Sequence, residues 1–246
     1  MKIIATDYDG TLNMNGINAG KREAISRWRK AGNLFGVISG RSWQSTLEQL
    51  EKDNIERDFV VGNNGASVCD KDGRIISEIT ASSMVLKEFL EFVFQNGCDF
   101  GRVHCSNICF VVNVPNREIK KGEYTLDDYP ETEDFNQVSI QFETPEASEE
   151  FAEIIKERFK GVLYPLQNRR WIDVVPIGVS KSQGIYKLIE IFTVEKQNVI
   201  TVGDSENDID MLLEFNSYAM ENGVEIVKKT AGRTVEDITE IIDNEI

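Results

Sequence analysis

Two carboxylates stand one residue apart near the start of the chain, in the stretch IIATDYDGTL. Asp7 and Asp9 follow directly after an apolar strand pattern, and Gly10 and Thr11 come next. Like charges at close range raise each other's pKa and oppose folding, so the pair needs a compensating positive charge. A bound cation would supply that charge, and an aspartate in such a site can act as a nucleophile that takes a phosphoryl group.

Polar side chains also follow the other strands that the sequence predicts around this stretch. Ser39 follows LFGVI, and Asp204 follows NVITV with one glycine between them. Asn63 and Asn64 come just after FVV. Ligands of an open parallel sheet bind beyond the carboxyl ends of its strands, so we expect these residues to meet Asp7 at one edge. Turn formation explains any one of them equally well, but it explains the whole set less well.

Lys181 adds an independent indication of an anion. Ser180 is a predicted N-cap, which places Lys181 in the first turn of a helix. The helix dipole disfavours a cation at that end by about 0.3–1 kcal/mol. The placement is explained if Lys181 helps to hold an anion, and the alternative is a solvated lysine tolerated at small cost.

Asp208 has two interpretations that the sequence leaves open. The stretch from Ser205 to Asp208 resembles a capping box, although Glu or Gln is the usual fourth member. Asp208 would then satisfy an N–H group at the helix end and suit the dipole. Alternatively, Asp204 and Asp208 approach one cation from the loop and the first helical turn. The two roles are compatible.

The carboxylates favour a hard divalent cation bound by oxygen, and magnesium fits best. Mg²⁺ would offset the repulsion among Asp7, Asp9 and Asp204 and would favour their ionised forms. Carboxylates, one cation and one lysine suit phosphoryl transfer, in which positioning and charge neutralisation do most of the work. These residues therefore predict a phosphoryl-transfer site.

The length and net charge of the chain limit the classes of molecule that it can bind. The chain has 246 residues, enough for one large core or for two domains, and its net charge is 27 − 42 = −15. This charge argues against a nucleic-acid or anionic-membrane partner but permits a small anionic substrate. No apolar run approaches the roughly 20 residues of a membrane span, and no signal-peptide pattern opens the sequence. Monomer and homodimer are both compatible with the sequence.

The cysteines and the single histidine predict no metal centre. Four cysteines do not make a disulfide framework in a chain of this size, so we expect the protein to be located in the reducing cytoplasm. One histidine excludes a multi-histidine metal site and makes a histidine base improbable. A zinc site would require paired spacing, which is lacking among Cys98, His104, Cys105 and Cys109, and core or strand positions are expected for these residues instead.

Strands and helices alternate at both ends of the sequence. This rhythm predicts right-handed crossovers and a parallel sheet, that is, an α/β fold. The main predicted strands are 2–6, 34–38, 59–61 and 198–202, and the main predicted helices are 18–31, 42–53, one from Ser180, one from Ser205 and a terminal one over 234–246.

The rhythm changes in the central part of the chain. A helix at 82–96 leads to the strand-like stretch VHCSNICFVVNV, and a helix at 145–159 leads to further strands. A helix followed by strands, occurring twice, predicts a two-layer α+β module with an antiparallel sheet. We therefore predict one domain of residues 1–79 and 179–246, interrupted by an inserted domain of residues 80–178.

Four sequence motifs resemble those of a known enzyme superfamily. In chain order they are DYDGTL, VISGRS, GVSKS and VGDSENDIDML. They resemble the four motifs of the haloacid dehalogenase (HAD) phosphohydrolases, and with the rhythm between them they cover most of 1–76 and 178–220. The resemblance implies a Rossmann-like core. The insertion resembles the class IIB cap of Cof-type members, which typically act on sugar phosphates, and implies that residues 80–178 set substrate specificity.

The resemblance also implies catalytic roles. Asp7 would be the nucleophile, and Asp9 would protonate the leaving alcohol and then activate water. Ser39 and Lys181 would hold the transferring phosphoryl group. The Mg²⁺ ligands would be Asp7, the Asp9 backbone carbonyl and Asp204, with Asp208 as a further ligand or as a support for them. The remaining expected contributors are Gly10, Thr11, Arg41, Asn64 and Asn207.

Two departures from the family pattern affect the rim of the pocket. Ser182 follows Lys181 where relatives usually have glycine, and Glu221 in YAMENG replaces a glycine of the common AMGNA. The segment after Glu221 is also short. These differences leave the catalytic set intact and leave the identity of the substrate open.

The same residues are compatible with other functions. A phosphomutase or phosphotransferase would use the same aspartate with a sugar acceptor in place of water. A signalling module would store phosphate on Asp7, although the large insertion and the adjacent Asp9 argue against it. A binding protein on a retired enzyme scaffold is disfavoured because the catalytic residues are all retained. We expect a Mg²⁺-dependent phosphatase of small phosphorylated metabolites, acting through an aspartyl-phosphate.

Overall fold

The computed structural model describes residues 1–106, 108–114, 117–130, 132 and 134–246. The chain divides into two compact units. The first unit contains Met1–Ser77 and Ser180–Ile246, and the second contains Glu78–Val179. The boundaries expected from the sequence lie after residues 79 and 178.

Strands and helices fill most of both units. The strands are β1 (Ile3–Thr6), β2 (Leu34–Ile38), β3 (Phe59–Gly62), β4 (Ser67–Asp70), β5 (Ile75–Glu78), β6 (Ala81–Ser82), β7 (Phe100–His104), β8 (Cys109–Asn113), β9 (Glu123–Tyr124), β10 (Asp134–Phe135), β11 (Gln137–Gln141), β12 (Leu163–Asn168), β13 (Trp171–Pro176), β14 (Val199–Gly203), β15 (Asn216–Met220) and β16 (Thr234–Val235). The helices are α1 (Ala19–Lys30), α2 (Trp43–Lys52), α3 (Ser83–Gln95), α4 (Pro145–Arg158), α5 (Lys181–Phe192), α6 (Ile209–Glu214), α7 (Glu225–Ala231) and α8 (Ile238–Glu245).

An eight-stranded sheet organises the first unit. Its order is β16-β15-β14-β1-β2-β3-β4-β5. The first six strands of this order pair in parallel, and β4 runs antiparallel to β3. The carboxyl ends of β1, β2, β3 and β14 therefore lie at one edge. The predicted α/β fold with a parallel-sheet core is confirmed.

Helices cover both faces of this sheet, which explains why its strands read as continuous apolar runs. Ile4 of β1 belongs to a buried cluster that includes Trp28 of α1. Ile3 and Ala5 belong to a second cluster that includes Ile185 of α5. Neighbouring residues of one strand thus point into two cores, and neither face is left to solvent.

The first helix has the predicted ends. The Asn18 side chain accepts a hydrogen bond from the Lys21 backbone N–H, which caps α1. Gly32 follows the helix with a φ of +85°, in the left-handed region that favours glycine at a helix end. The predicted apolar stripe of Ala24, Ile25 and Trp28 is buried.

The predicted terminal helix begins later than expected. Residues 234–235 form β16, which pairs in parallel with β15, and α8 starts only at Ile238. Asp237 caps α8 by accepting from the Thr239 N–H, and the Glu240 side chain accepts from the Asp237 N–H. Thr234 and Val235 are β-branched residues, which favour strands, and they extend the edge of the sheet next to β15. A helix over 234–246 was therefore wrong in its first four residues.

The second unit is the predicted α+β module. Its six-stranded sheet has the order β12-β13-β11-β7-β8-β9, and all of its pairs are antiparallel except β8 with β9. A two-stranded sheet joins β10 and β6. The strand-like stretch VHCSNICFVVNV is two strands, β7 and β8, which pair with each other. Residue 107, between them, lies outside the described residues.

The two faces of the larger sheet differ in polarity. Val103, Val138 and Ile172 pack into a buried cluster with residues of α3 and α4. Side chains alternate along a strand, so the neighbouring residues lie on the other face. That face carries buried neutral polar side chains, including His104, Gln137 and Ser139.

Among the described residues, His104 belongs to no group of side chains that could hold a metal ion. Burial, and then the nearby charge of Arg102, lower the pKa of the His104 imidazole to about 4. Its Nδ1 atom has no hydrogen-bond partner within the described part of the chain.

Of the helices among the described residues, none combines the length and the apolar character that a membrane crossing requires.

Candidate active site

The DYDGTL motif forms a tight turn at the carboxyl end of β1. Asp7 remains fastened to the sheet, because its N–H donates to the Val202 carbonyl of β14 at 2.9 Å. Gly10 has a φ of +82°, and a Cβ atom there would lie 2.5 Å from an Asp204 carboxylate oxygen. The Thr11 hydroxyl donates to Asp204 Oδ1 at 2.8 Å. Gly10 and Thr11 thus admit Asp204 and hold it against the turn.

Three buried carboxylates meet at this edge. Asp7, Asp204 and Asp208 each offer an oxygen, and these atoms lie within 4.8 Å of one another. The three residues come from the ends of β1 and β14 and from the turn after β14. The structure therefore brings together the strand-end carboxylates whose convergence the sequence predicted.

Lys181 lies among these carboxylates. Its Nζ donates to Asp7 Oδ1 at 2.7 Å and to Asp208 Oδ1 at 2.5 Å, and the side chain is 1 % exposed. Ser180 caps α5 by accepting from the Gln183 N–H. The lysine thus occupies the first turn of α5, where the sequence placed it. The ion pairs with the two carboxylates outweigh the unfavourable helix dipole.

Asp208 has the capping function that the sequence left open. Its Oδ2 accepts from the N–H groups of Asp204 and Ser205, at 2.9 and 3.0 Å. The predicted helix from Ser205 begins as a single turn, Glu206–Asp208, before α6. Because Oδ1 also holds Lys181, one carboxylate fastens both the Asp204 loop and the lysine.

Negative charge exceeds positive charge in this cluster. Burial, opposed by the charge of Lys181 and reinforced by the charges of Asp208 and Asp204, raises the pKa of Asp7 to about 8. Burial also raises the pKa of Asp204. Burial opposes the charge of Lys181, but Asp208 and Asp7 outweigh burial and raise its pKa. A cluster of three carboxylates and one ammonium therefore fits an additional hard cation such as Mg²⁺.

Asp9 points its carboxylate elsewhere. Within the described residues, the acidic cluster contains Asp7, Asp204 and Asp208 and does not include Asp9. The two Asp9 oxygens accept from Nε and Nη2 of Arg41, each at 2.6 Å. The Asp9 side chain is 53 % exposed. The hydrogen bond to Asp9 raises the pKa of Arg41. Both residues were expected at the site from the sequence, but their ion pair was not.

Ser39, Asn64 and Asn207 form a connected group. The Ser39 N–H donates to the Val61 carbonyl, and its own carbonyl accepts from the Asn64 N–H at 3.0 Å. The Asn207 side-chain amide donates to Asn64 Oδ1 at 3.3 Å. Asn63 and Asn64 both have positive φ, so the NNG turn folds back beside the end of β2. The structure links these three predicted residues through two turns.

Sequence reasoning missed two polar residues of the site. The Asn222 side chain donates to the Gly10 carbonyl at 2.9 Å, and it lies just beyond the carboxyl end of β15. The strand-end rule would have found it, had β15 been considered with the other strands. Asp210 accepts from the Ser182 N–H at 2.8 Å, a contact for which the sequence offers no signal.

Both departures from the family pattern have defined positions. The Ser182 hydroxyl lies 3.0 Å from the Ser180 hydroxyl, so a serine here adds a contact at the start of α5. The Glu221 N–H donates to the Val235 carbonyl, which continues the pairing of β15 with β16.

Comparison with known proteins identifies the family of the chain. The family model of haloacid dehalogenase-like hydrolases matches residues 4–240. The 5-amino-6-(5-phospho-D-ribitylamino)uracil phosphatase YitU of Bacillus subtilis is 27 % identical and the match covers 94 % of this chain and 91 % of that protein. An uncharacterised protein of Mycoplasma capricolum is 25 % identical over 98 % of both chains.

Solved structures share the fold. SMU.1108c from Streptococcus mutans superposes with a TM-score of 0.84, at 22 % identity, over 99 % of this chain and 98 % of that one. The HAD subclass IIB sugar phosphatase BT4131 superposes with a TM-score of 0.82, at 21 % identity, over 99 % and 98 %. The chain therefore belongs to the haloacid dehalogenase-like hydrolase family, which confirms both the family that its four motifs resemble and the expectation of a phosphatase.

Proposed function

We propose that this protein is a Mg²⁺-dependent phosphatase that hydrolyses small phosphorylated metabolites in the cytoplasm through an aspartyl-phosphate on Asp7. The observation that carries the proposal is the buried cluster of Asp7, Asp204 and Asp208 with Lys181 among them. Such a cluster can hold a dication and a phosphoryl group in one place, which is most of what phosphoryl transfer requires.

The reaction has two halves. In the first, an Asp7 oxygen attacks phosphorus, the ester P–O bond breaks, and Asp9 gives a proton to the leaving alcohol. In the second, water attacks phosphorus, the bond to Asp7 breaks, and the water proton passes to Asp9. Ser39 and Lys181 bind oxygens of the transferring group. Thr11 and Gly10 support the turn and keep Asp204 beside it.

The proposed Mg²⁺ ligands are Asp7, the Asp9 backbone carbonyl and Asp204, with Asp208 as a further ligand or as a support. When bound, the ion supplies positive charge that stabilises the negative charge developing on the phosphoryl oxygens. Lys181, which forms an ion pair with Asp7, supplies a second positive charge. Arg41, Asn64 and Asn207 are proposed as supporting or substrate-contacting residues.

The proposed substrates are sugar phosphates and related phosphate esters. Support comes from relatives whose names specify a phosphoribityl compound or a sugar phosphate, together with the family membership. We assign residues 1–79 and 179–246 to the catalytic core and propose that residues 80–178 act as the cap that determines specificity.

A phosphate-release screen tests the proposal. The purified protein is incubated with sugar phosphates, nucleotides and phospho-acids, with Mg²⁺ or with EDTA. We expect phosphate release from at least one sugar phosphate, loss of release in EDTA and recovery on addition of Mg²⁺. Formation of a second phosphosugar without release of phosphate would instead indicate a mutase or phosphotransferase, and a long-lived phospho-form without turnover would indicate a signalling module.

The nucleophile has its own test. Asp7→Asn should lower kcat by about 10⁴-fold or more, because the amide cannot form the covalent intermediate. Asp243→Asn is the matched control, since Asp243 is an exposed partner of Arg27 and should retain full activity. Full activity in Asp7→Asn would rule out the covalent mechanism.

A further inference from the structure

We propose that Arg41 is the positioning residue that aims the Asp9 carboxylate during the second half of the reaction, the hydrolysis of phosphorylated Asp7. This inference rests on the proposed function. It assigns a task to an ion pair that the sequence motifs do not predict, and it concerns only residues of the first unit.

The geometry of the pair fixes the direction of the carboxylate. Arg41 donates to both Asp9 oxygens at 2.6 Å, so the two planar groups face each other. An ionised carboxylate has about four acceptor positions, and this pairing uses two of them. Each oxygen therefore keeps the capacity to accept a hydrogen from water while its orientation is held.

Arg41 is itself fastened on several sides. Its backbone N–H donates to Ser39 Oγ at 3.2 Å, and its carbonyl accepts from the Asn63 N–H at 2.7 Å. Its guanidinium lies 5.4 Å from the centre of the Tyr8 ring, a cation–π contact. Tyr8 is fully buried, and its hydroxyl donates to Asp53. Arg41 thus joins the predicted phosphate-binding Ser39 to Asp9 through a rigid frame.

Asp9 needs this frame because of where it stands. Its side chain is half exposed, and it lies on the turn next to a Gly10 with positive φ. An exposed carboxylate without a partner samples several staggered rotamers. As the proposed base of the hydrolysis step, Asp9 has to hold its carboxylate in one orientation. The bidentate partner supplies that restraint.

In the proposed step, a water oxygen forms a bond to phosphorus as the P–O bond to Asp7 breaks. The electron pair of that bond returns to the Asp7 carboxylate, and one water proton passes to an Asp9 oxygen. The product is inorganic phosphate. Because little covalent help is needed in such transfers, the direction of the base matters more than its strength.

The test separates the two halves of the reaction with 4-nitrophenyl phosphate. The nitrophenolate departs without a proton, so the first half of the reaction does not depend on the orientation of Asp9. The value of kcat/KM reports only the steps up to this departure. The kcat value includes hydrolysis of phosphorylated Asp7. For Arg41→Met we expect kcat to fall about 100-fold while kcat/KM stays within about threefold of the wild-type value.

A direct measurement accompanies the kinetics. Mass spectrometry of acid-quenched samples should show the phosphorylated chain accumulating in Arg41→Met during turnover and staying scarce in the wild type. Arg41→Lys should lose about tenfold in kcat, because an ammonium cannot donate in the same bidentate way. Arg29→Met is the matched control, since Arg29 makes an equivalent bidentate pair with Asp58, and its kinetics should be unchanged.

The outcomes are distinct. Equal losses of kcat and kcat/KM in Arg41→Met, without accumulation of the phosphorylated chain, overturn the inference, since a structural or phosphate-binding role gives that result. If circular dichroism shows Arg41→Met to be unfolded, the same two measurements on Arg41→Lys decide. Absence of hydrolysis in the wild type with Mg²⁺ overturns the proposed function, whereas wild-type activity with equal losses in the variant overturns only the role of Arg41.

Discussion

The two units bury polar side chains in different ways. In the first unit a group of charged side chains is buried where parallel strands end: Asp7, Asp204, Asp208 and Lys181. Among the described residues of the second unit, the buried polar side chains of the six-stranded sheet are neutral and lie across its face: His104, Asn113, Gln137 and Ser139. Parallel strands gather their ends at one edge, whereas antiparallel pairing spreads side chains across a face. The first arrangement concentrates charge, and the second distributes hydrogen-bonding groups.

The energetic consequences differ as well. A charge in a low-dielectric site needs an opposite charge beside it, so each member of the first group depends on the others. A buried neutral group needs only a hydrogen-bond partner. Ser139 satisfies this need by accepting from Gln137 at 3.0 Å and donating to Asp173 at 2.6 Å. Removing one charge should therefore cost more than removing one neutral group.

The largest expected effect tests the charged cluster. Lys181→Met should lower the free energy of unfolding by about 3–5 kcal/mol without Mg²⁺, because it leaves Asp7 and Asp208 buried without their cation. Urea denaturation measures the change. Lys187→Met is the control, since Lys187 pairs with Glu190 at the surface and should cost less than about 1 kcal/mol. A loss below about 1 kcal/mol for Lys181→Met would remove the energetic distinction between the two units.

A smaller effect is expected from pH in the second unit. The pKa of His104 is about 4 in the folded protein, against a usual value of 6.5 in an unfolded chain. The unfolded state therefore binds more protons between these values, so His104's contribution to stability is complete above pH 6.5 and is lost as pH falls toward 4. We expect about 2 kcal/mol to be lost between pH 7 and pH 5.

His104→Gln isolates this contribution, because a glutamine does not titrate. Urea unfolding at pH 5 and at pH 7, for the wild type and the variant, gives four values. We expect the difference between the two pH values to shrink by about 2 kcal/mol in the variant. Equal pH dependence in the two proteins would mean that the imidazole is not held in its neutral form.

The smallest effect concerns the linkage of protons and Mg²⁺ in the first unit. The pKa of Asp7 is about 8, so at pH 6 its carboxylate holds a proton that must leave when a dication binds. The affinity for Mg²⁺ should therefore rise by close to tenfold from pH 6 to pH 7, about 1.4 kcal/mol. Isothermal titration calorimetry measures it. A pH-independent affinity would contradict the excess of negative charge inferred for the cluster.

The sequence predicted those features that depend on neighbouring residues or on strand ends. Helix α1, with its Asn18 cap, and the meeting of Asp7 with Asp204 belong to this class. The pair of Arg41 with Asp9 does not, because two side chains on different turns can pair only after the turns are folded. The strand at residues 234–235 does not belong to this class either, because it forms only by pairing with β15, which is distant in the sequence.

The order of the chain has a consequence for synthesis. Thr11 and Asp204 are 193 residues apart, and Lys181 is 174 residues from Asp7. At about 5–20 residues per second, a ribosome adds that length in roughly 10–40 s. During this interval the nascent chain carries Asp7 without Lys181 and Thr11 without Asp204. The active site is therefore among the last parts of the molecule to form, and truncated translation products carry an incomplete one.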